Sequence, residues 1–187
     1  MSTLKNIKNK ICTQADLKSV LNVWRLLEKK IVFTNGCFDL LHLGHIDYLS
    51  KAADMGDKLV IGLNSDASVS ALKGSGRPIS DQISRSVLLA SFSFVDAVVL
   101  FDDPTPIQLI EWVRPDILVK GADYTIDKIA GAEMVMQYGG LVKTIEFLNP
   151  AFKSAVIFKI KDNKKIQKNN RRFIRYVYLT FTGVVQT

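Results

Sequence analysis

The sequence predicts an α/β protein with a Rossmann-like, doubly wound parallel sheet of five strands and helices on both faces. Five short runs are rich in β-branched and aromatic residues, which is typical of buried strands. Segments with apolar residues at helical spacing alternate with these runs, so crossovers join successive strands and cover the sheet. The strands are predicted at residues 31–34, 58–63, 95–101, 116–119 and 141–148.

Residues 1–30 are predicted to contain a helix that leads into the first strand. Thr13 followed by Asp16 resembles a capping box in which Asp takes the place of Glu. Leu17 and Leu21 then fall on one helical face, which indicates an amphipathic helix.

The segment 35–45 joins the first strand to a helix predicted at residues 44–53. Small and polar residues fill this turn. A glycine-containing loop that feeds a helix presents unpaired backbone N–H groups and the positive end of the helix dipole. We therefore predict an anion site here, with phosphate as the guest.

The chain has only two histidines, His42 and His45, and both lie at the entry to this helix. Residues three apart share a helical face, so both imidazoles can point at a ligand above the helix N-terminus, where Gly44 leaves room. A single histidine is commonly a satisfied core residue, but the pair in this loop favours a functional role. A metal site needs three or four ligands, and only Cys37 and Asp39 lie nearby, so we expect none made by the protein alone.

Two more polar segments follow predicted strands, at residues 64–77 and 120–124. The carboxyl ends of parallel strands meet at one edge of the sheet, which is where such folds bind ligands. The first segment contains a loop, 73–78, with two glycines, a proline and the cations Lys73 and Arg77, and we expect it to be mobile.

Further helices are predicted to begin at Ser80, which would cap a helix carrying Arg85, and at Pro106, and a last one spans residues 130–138. The sequence contains neither GxGxxG nor GxxxxGK[ST]. This argues against a dinucleotide-dependent oxidoreductase and against a P-loop ATPase.

The net charge of +7 belongs to the C-terminal part of the chain. From Lys159 onward there are eight basic residues and one acidic residue, whereas the first 158 residues carry 17 of each. A basic face on the fold would have favoured a nucleic-acid partner, but the excess charge lies in a terminal run. We therefore expect no nucleic-acid partner. We predict one domain over residues 1–162 and a tail over 163–187 that is basic and then apolar. A basic-tailed interaction module remains an alternative.

The two cysteines, Cys12 and Cys37, give no disulfide framework. The first ten residues lack the apolar centre of a secretory signal, and no apolar run approaches the ~18 residues of a membrane span. We therefore expect a cytoplasmic protein.

The stretch Thr34-Asn-Gly-Cys-Phe-Asp-Leu-Leu-His-Leu-Gly-His45 resembles the HxGH motif of the cytidylyltransferase-like nucleotidyltransferases. In that superfamily the two histidines hold the triphosphate of a nucleotide during attack on its α-phosphorus. The resemblance implies the same role for His42 and His45.

Four further stretches resemble the heptose 1-phosphate adenylyltransferases, which make ADP-heptose for the lipopolysaccharide inner core and related glycans. They are residues 119–124, 64–66, 72–78 with Arg85 beyond them, and 94–98. The resemblance implies that D-glycero-D-manno-heptose 1-phosphate attacks the α-phosphorus of ATP, that Mg²⁺ is carried by the ATP, and that pyrophosphate leaves. Many members are fused to a preceding ribokinase-like kinase. No such kinase precedes the motif in this sequence, so we expect the stand-alone version of the enzyme. We also expect a homodimer.

The same resemblance assigns the site residues. The implied catalytic residues are His42, His45 and Lys73, and Lys73 would bridge the two reacting phosphates. Nucleotide contacts are implied for these histidines and for Thr34, Asn35, Gly36, Cys37, Phe38, Gly44, Lys120, Gly121, Asp123 and Ser154. Substrate contacts are implied for Asp39, Asn64, Lys73, Arg77, Arg85 and Tyr124, and Asp39 is also the implied neighbour of Mg²⁺. A helix cap for Asp39 and a surface ion pair for Arg85 remain open.

The segment Pro150-Ala-Phe-Lys-Ser-Ala155 departs from the family, which has a Ser/Thr pair at the start of its last helix. Only Ser154 remains, beside Lys153. A nucleotide-binding protein that has lost turnover is therefore an alternative. Glycerol-3-phosphate cytidylyltransferase and phosphopantetheine adenylyltransferase are the alternatives within the superfamily.

Overall fold

A six-stranded, all-parallel sheet forms the centre of the computed structural model, which describes residues 2–146. The strands follow one another in the spatial order β1-β4-β3-β2-β5-β6. Their bounds are β1 Ile11–Cys12, β2 Ile31–Gly36, β3 Lys58–Asn64, β4 Ala97–Phe101, β5 Ile117–Gly121 and β6 Leu141–Ile145. The predicted fold class is confirmed. The predicted tail, 163–187, and the end of the predicted domain lie outside the described residues.

The predicted number of five strands is wrong, because the described residues contain a sixth, β1. This strand has two residues, and they pair with β4 through Ile11↔Val98 and Cys12↔Val99. Two residues are too few to show the alternation of apolar and polar side chains by which a strand is recognised. The pairing across a long stretch of chain, rather than a local pattern, makes this segment a strand.

Seven α-helices and one short 3₁₀ turn, Ile126–Lys128, lie in the described part of the chain. The capping box of Thr13 and Asp16 is confirmed at the start of the second helix. Asp81, not Ser80, caps the fifth, because its carboxylate accepts from the Ser84 backbone N–H at 2.8 Å. The helices are α1 Thr3–Lys8, α2 Gln14–Leu26, α3 Leu43–Ala53, α4 Asp66–Lys73, α5 Gln82–Ser91, α6 Ile107–Val113 and α7 Ala132–Gln137. None of the helices within residues 2–146 is both long enough and apolar enough to cross a membrane.

Each face of the sheet carries its own hydrophobic core. On one face Phe33 packs with residues of α2, α6 and α7, such as Leu21 and Ile110. On the other face Val32 packs with residues of α3 and α5, such as Leu49. Alternate residues of one strand thus enter opposite cores, so both faces are covered as a doubly wound sheet requires.

The strand order reverses between β2 and β5. The chain runs outward from β2 through β3 to β4 and then returns to the other side of β2 to form β5 and β6. β2 pairs with β3 along its whole length, but with β5 only through Val32↔Ile117 and Phe33↔Leu118. The carboxyl ends of β2 and β5 therefore separate, and ligands of such folds bind in a crevice at this position.

Candidate active site

The histidine pair lies at the start of α3, directly beyond the end of β2. His42 is the N-cap residue, and its carbonyl accepts from the backbone N–H of His45 at 2.8 Å. The two ring centroids are 3.9 Å apart. The predicted convergence of the imidazoles at the helix N-terminus is therefore what the structure shows.

Burial keeps both imidazoles in the neutral form. It lowers the pKa of His42, and it lowers the pKa of His45 to about 3, where the charges of His42 and Lys73 act in the same direction. The Nδ1 atom of His45 is buried and has no hydrogen-bond partner among the described residues. A buried polar atom without a partner costs roughly 1–3 kcal/mol, which is typical of a site prepared for a ligand.

The backbone before α3 adopts a conformation that places Phe38 against the histidine pair. Phe38 has a φ of 44°, in the left-handed region, and its ring meets the His45 ring edge-on at 5.5 Å between centroids. A Cβ atom on Gly36 would lie 3.1 Å from the Phe38 ring. A larger residue than glycine at position 36 would therefore displace the ring that supports His45.

Lys73 approaches the histidines from a different element. It is the last residue of α4, its side chain is exposed, and its charge contributes to the lowered pKa of His45. Gly74 and Gly76 follow with φ values of 90° and 91°, which few other residues adopt. Lys73 thus ends α4, directly before this glycine-containing loop, and its charge acts on His45. Its predicted catalytic role stays a prediction.

Asp39 joins two of the predicted site segments. Its carboxylate is 3% exposed and accepts hydrogen bonds from the Arg77 guanidinium, from Ile79 N at 2.6 Å and from Ser80 N at 3.1 Å. Burial alone would raise the pKa of Asp39, but the hydrogen bonds from Ser80, Arg77 and Ile79 outweigh it and lower that pKa. The protein's own donors occupy the carboxylate in this arrangement, and the predicted contact of Asp39 with substrate or Mg²⁺ stays a prediction. Arg77, which was expected to face substrate, is held by this contact with the Asp39 carboxylate.

Arg85 is fully buried, which contradicts its predicted substrate contact. Its guanidinium donates to the carbonyl of Cys37 at 2.6 Å and to that of Asn64 at 2.8 Å. It also donates to the carbonyl of Ser80 at 2.9 Å and to the Asp66 carboxylate at 2.7 Å. Arg85 therefore fastens the ends of β2 and β3 to the following loop, from inside the protein.

The other predicted residue after β3, Asn64, is 5% exposed. Its amide nitrogen donates to the Ser68 hydroxyl at 2.9 Å, and the Cys37 sulfur lies 3.9 Å from its amide oxygen. Asn64 thus orders the end of β3 beside the loop that precedes the histidines.

The crevice between β2 and β5 is bridged by a tyrosine that the sequence analysis missed. The Tyr48 hydroxyl lies 2.7 Å from the Thr34 hydroxyl and donates to the Val119 carbonyl at 3.1 Å. Burial raises the pKa of Tyr48, so the phenol is neutral and able to donate. Its spacing of three residues after His45 on α3 is the signal that could have placed it at the site.

Lys120 lies on the β5 side of the same crevice. Its ammonium donates to the backbone carbonyl of Asn35 at 3.1 Å and to the side-chain oxygen of Asn35 at 2.5 Å. Burial lowers the pKa of Lys120 to about 8, although Cys37 and Asp123 oppose the shift. The Tyr124 ring lies 5.9 Å from its ammonium. Of the predicted nucleotide-binding set, Asn35 and Lys120 are thus in direct contact.

The remaining predicted site residues that the structure describes make fewer contacts with the histidine pair and the Lys120 ammonium. Gly121 ends β5, its carbonyl accepts from the backbone N–H of Tyr124 at 3.1 Å, and Asp123 and Tyr124 are exposed. Gly44 is buried in the first turn of α3. Ser154 lies outside the described residues. Within residues 2–146 no group of three His, Cys, Asp or Glu side chains is arranged to hold a metal ion.

Comparison with known proteins places this geometry in a family. The chain is 48% identical over 164 residues to a bifunctional protein HldE of Campylobacter jejuni strain RM1221, covering 88% of this chain and 33% of that protein. It is 49% identical over 154 residues to a bifunctional protein HldE of Syntrophotalea carbinolica, with 82% and 31% covered. The chain thus spans about a third of the length of these relatives.

Two solved structures resemble the fold. A lipopolysaccharide core biosynthesis protein from Thermoplasma volcanium GSS1 matches with a TM-score of 0.51 and 32% identity, covering 64% of this chain and 96% of that one. A pantoate-beta-alanine ligase from Francisella tularensis matches with a TM-score of 0.51 and 14% identity, covering 75% and 68%, and shows a likeness of fold alone. The profile of the cytidylyltransferase-like family matches residues 33–169, which contain the histidine pair, Lys73 and Lys120. The superfamily predicted from the HxGH motif is therefore confirmed, and the chain belongs to the cytidylyltransferase-like family of nucleotidyltransferases.

Proposed function

We propose that the protein transfers AMP from ATP to D-glycero-D-manno-heptose 1-phosphate and releases pyrophosphate, giving ADP-heptose for lipopolysaccharide core or related glycans. The observation that carries the proposal is the pair of imidazoles that meet at the N-terminus of α3, 3.9 Å apart between ring centroids, where the buried Nδ1 of His45 has no partner among the described residues. The charge of Lys73, at the end of α4, acts on His45. The choice of sugar is supported by the resemblance of residues 119–124 to the heptose enzymes and by the similarity to the HldE proteins.

The chemistry asks little covalent work of the protein. A phosphate oxygen of the sugar phosphate forms a bond to the α-phosphorus, the bond from that phosphorus to the bridging oxygen breaks, and pyrophosphate leaves with the bonding electrons. The nucleophile is already an anion, so no general base is needed. Catalysis then consists of positioning the two phosphates and of neutralising the charge that develops.

Each site group has a defined part in this scheme. His42 and His45 donate hydrogen bonds to phosphate oxygens, and the first N–H groups of α3 add donors and a positive dipole end. Lys73 neutralises charge where the two phosphates approach each other. Because a triphosphate beside His45 favours the imidazolium form, bound nucleotide raises the pKa of His45 from about 3.

Mg²⁺ enters the proposal only as part of the ATP substrate. The proposal gives the cation no protein ligand, since the Asp39 carboxylate accepts three hydrogen bonds from residues 77–80. The cation therefore supplies charge neutralisation on the phosphates of ATP, and no step of the scheme depends on a protein ligand to it. The proposal also includes a homodimer, which light scattering of the full chain tests.

The deciding experiment measures pyrophosphate release. The full chain is incubated with Mg²⁺, with ATP or CTP, and with heptose 1-phosphate, glycerol 3-phosphate or phosphopantetheine. We expect release with ATP and heptose 1-phosphate only. Release with a different pair would transfer the proposal to that substrate class, and nucleotide binding without release in any combination would refute the enzymatic function.

A further inference from the structure

The carboxyl-terminal ends of β2 and β5 are not joined by backbone pairing. The ladder between these strands ends at Phe33↔Leu118, although β2 continues to pair with β3 up to Gly36. On the side that faces β5, the partly buried carbonyl of Asn35 therefore takes its donor from elsewhere. The structure supplies this donor from a side chain.

That donor is the ammonium of Lys120, which reaches both oxygens of Asn35. The distances from Nζ are 3.1 Å to the backbone carbonyl and 2.5 Å to the side-chain Oδ1. An ammonium can only donate, so both of its partners must be acceptors. The amide of Asn35 is thereby held with its oxygen toward Lys120, and its NH₂ group takes the opposite side.

The same contacts use two of the three N–H donors of the Lys120 ammonium. The Tyr124 ring centroid lies 5.9 Å from the ammonium. Asn35 is the last residue but one of β2, at the rim of the crevice between β2 and β5. The free end of its amide is thus the group of this pair that a ligand in the crevice can meet.

We propose that Lys120 is a positioning residue, which fixes the orientation of the Asn35 amide so that its Nδ2 donors face an acceptor atom of the bound nucleotide. The acceptor class is a ring nitrogen of the base or an oxygen of the ribose or phosphates. This inference rests on the proposed binding of nucleotide. It differs from the role expected from sequence, in which Lys120 itself contacts the nucleotide, as Asn35 does.

The test is a double-mutant cycle read as ATP affinity. Isothermal titration of the full chain with ATP and Mg²⁺, in the absence of sugar phosphate, gives Kd for the wild type, Lys120→Met, Asn35→Ala and the double variant. Loss of one oriented donor weakens binding by about tenfold, so each single variant is expected to lose about that factor. The double variant is expected to bind no more weakly than Asn35→Ala, because Lys120 acts only through Asn35. Lys120→Arg keeps charged donors and is expected to stay within about threefold of the wild type.

Each other outcome overturns the inference. Multiplying losses in the double variant would mean that Lys120 contacts the nucleotide itself, and unchanged affinity in Lys120→Met would mean that the contact is structural only. Thermal melting checks that the variants fold. If Lys120→Met does not, Lys120→Gln carries the same comparison, because its shorter side chain does not reach both oxygens of Asn35. A wild-type chain that binds neither ATP nor CTP would overturn the proposed function together with this inference, whereas nucleotide binding unaffected by these changes overturns the inference alone.

Discussion

Replacing Arg85 by methionine is expected to remove a large part of the protein's stability. Methionine keeps much of the side chain's bulk but donates nothing, so the buried carbonyl of Asn64 and the partly buried carbonyls of Cys37 and Ser80 lose their donor. A buried acceptor left without a donor costs roughly 1–3 kcal/mol. Asp66 keeps 40% of its side-chain surface exposed, so water replaces the guanidinium there and the ion pair adds little.

Removing the desolvated charge of Arg85 offsets part of this loss, so we expect the free energy of unfolding to fall by ~3–4 kcal/mol. With a urea slope of ~2 kcal/mol per molar, the midpoint moves down by roughly 1.5–2 M, which equilibrium unfolding followed by circular dichroism resolves. Lys51→Met is the matched control, because Lys51 forms an exposed pair with Asp47 that is worth at most ~0.5 kcal/mol. A loss below ~1 kcal/mol in Arg85→Met would refute the structural role assigned here. An unchanged midpoint with a raised KM for the sugar phosphate would restore the substrate contact expected from sequence.

Three further predictions concern the histidine pair and its cation. His42→Ala and His45→Ala are each expected to lower the rate of pyrophosphate release about a hundredfold or more, with little change in melting temperature, because each removes a preorganised donor to developing charge; a folded variant with near-full turnover would contradict this. Lys73→Ala is expected to lower kcat more than ATP affinity, since this cation is proposed to act where the two phosphates meet, and Lys128→Ala is the control at an exposed lysine of the 3₁₀ turn. Equal losses in kcat and affinity would make Lys73 an ordinary ground-state contact. The pKa of His45 is lowered in the folded protein to about 3, so the unfolded chain binds the extra proton first. His45 therefore contributes stability that is present above about pH 6.5 and is lost as the pH falls toward its folded pKa, by up to ~1.4 kcal/mol per pH unit. Over that pH range the urea midpoint of His45→Asn should fall less steeply than the midpoint of the wild type. Equal slopes would contradict the burial of a neutral imidazole.

The elements that local pattern specifies were predictable from sequence. The alternation of strand and helix patterns gave the fold class, and the capping box of Thr13 and Asp16 gave the start of α2. β1 was not predictable, because its two residues acquire strand geometry only by pairing with β4, more than eighty residues later in the chain. The histidine pair was found because its signal is local, three residues apart at a helix entry.

The errors at the site have one physical cause. A polar residue after a strand has the same appearance in sequence whether its side chain faces a ligand or a neighbouring segment. Asp39 and Arg77 are 38 residues apart and Arg85 and Cys37 are 48 apart, so nothing in the local pattern shows that each pair is bonded. A carboxylate and a guanidinium that were expected to meet substrate instead hold together the segments that carry the histidines.

The bridge formed by Tyr48 joins the crevice between β2 and β5 to the helix that carries the histidines. His45 and Tyr48 are on the same face of one helix, and the Tyr48 hydroxyl spans from Thr34 on β2 to Val119 on β5. An oversized base that forced these strands apart would break the hydrogen bonds of Tyr48 or displace its side chain. The helix α3, which carries Tyr48, would then tilt. In the proposed reaction, the imidazoles would then be misaligned with the α-phosphorus even though the nucleotide remained bound. We therefore expect discrimination among nucleotides to appear mainly in kcat, with smaller differences in affinity.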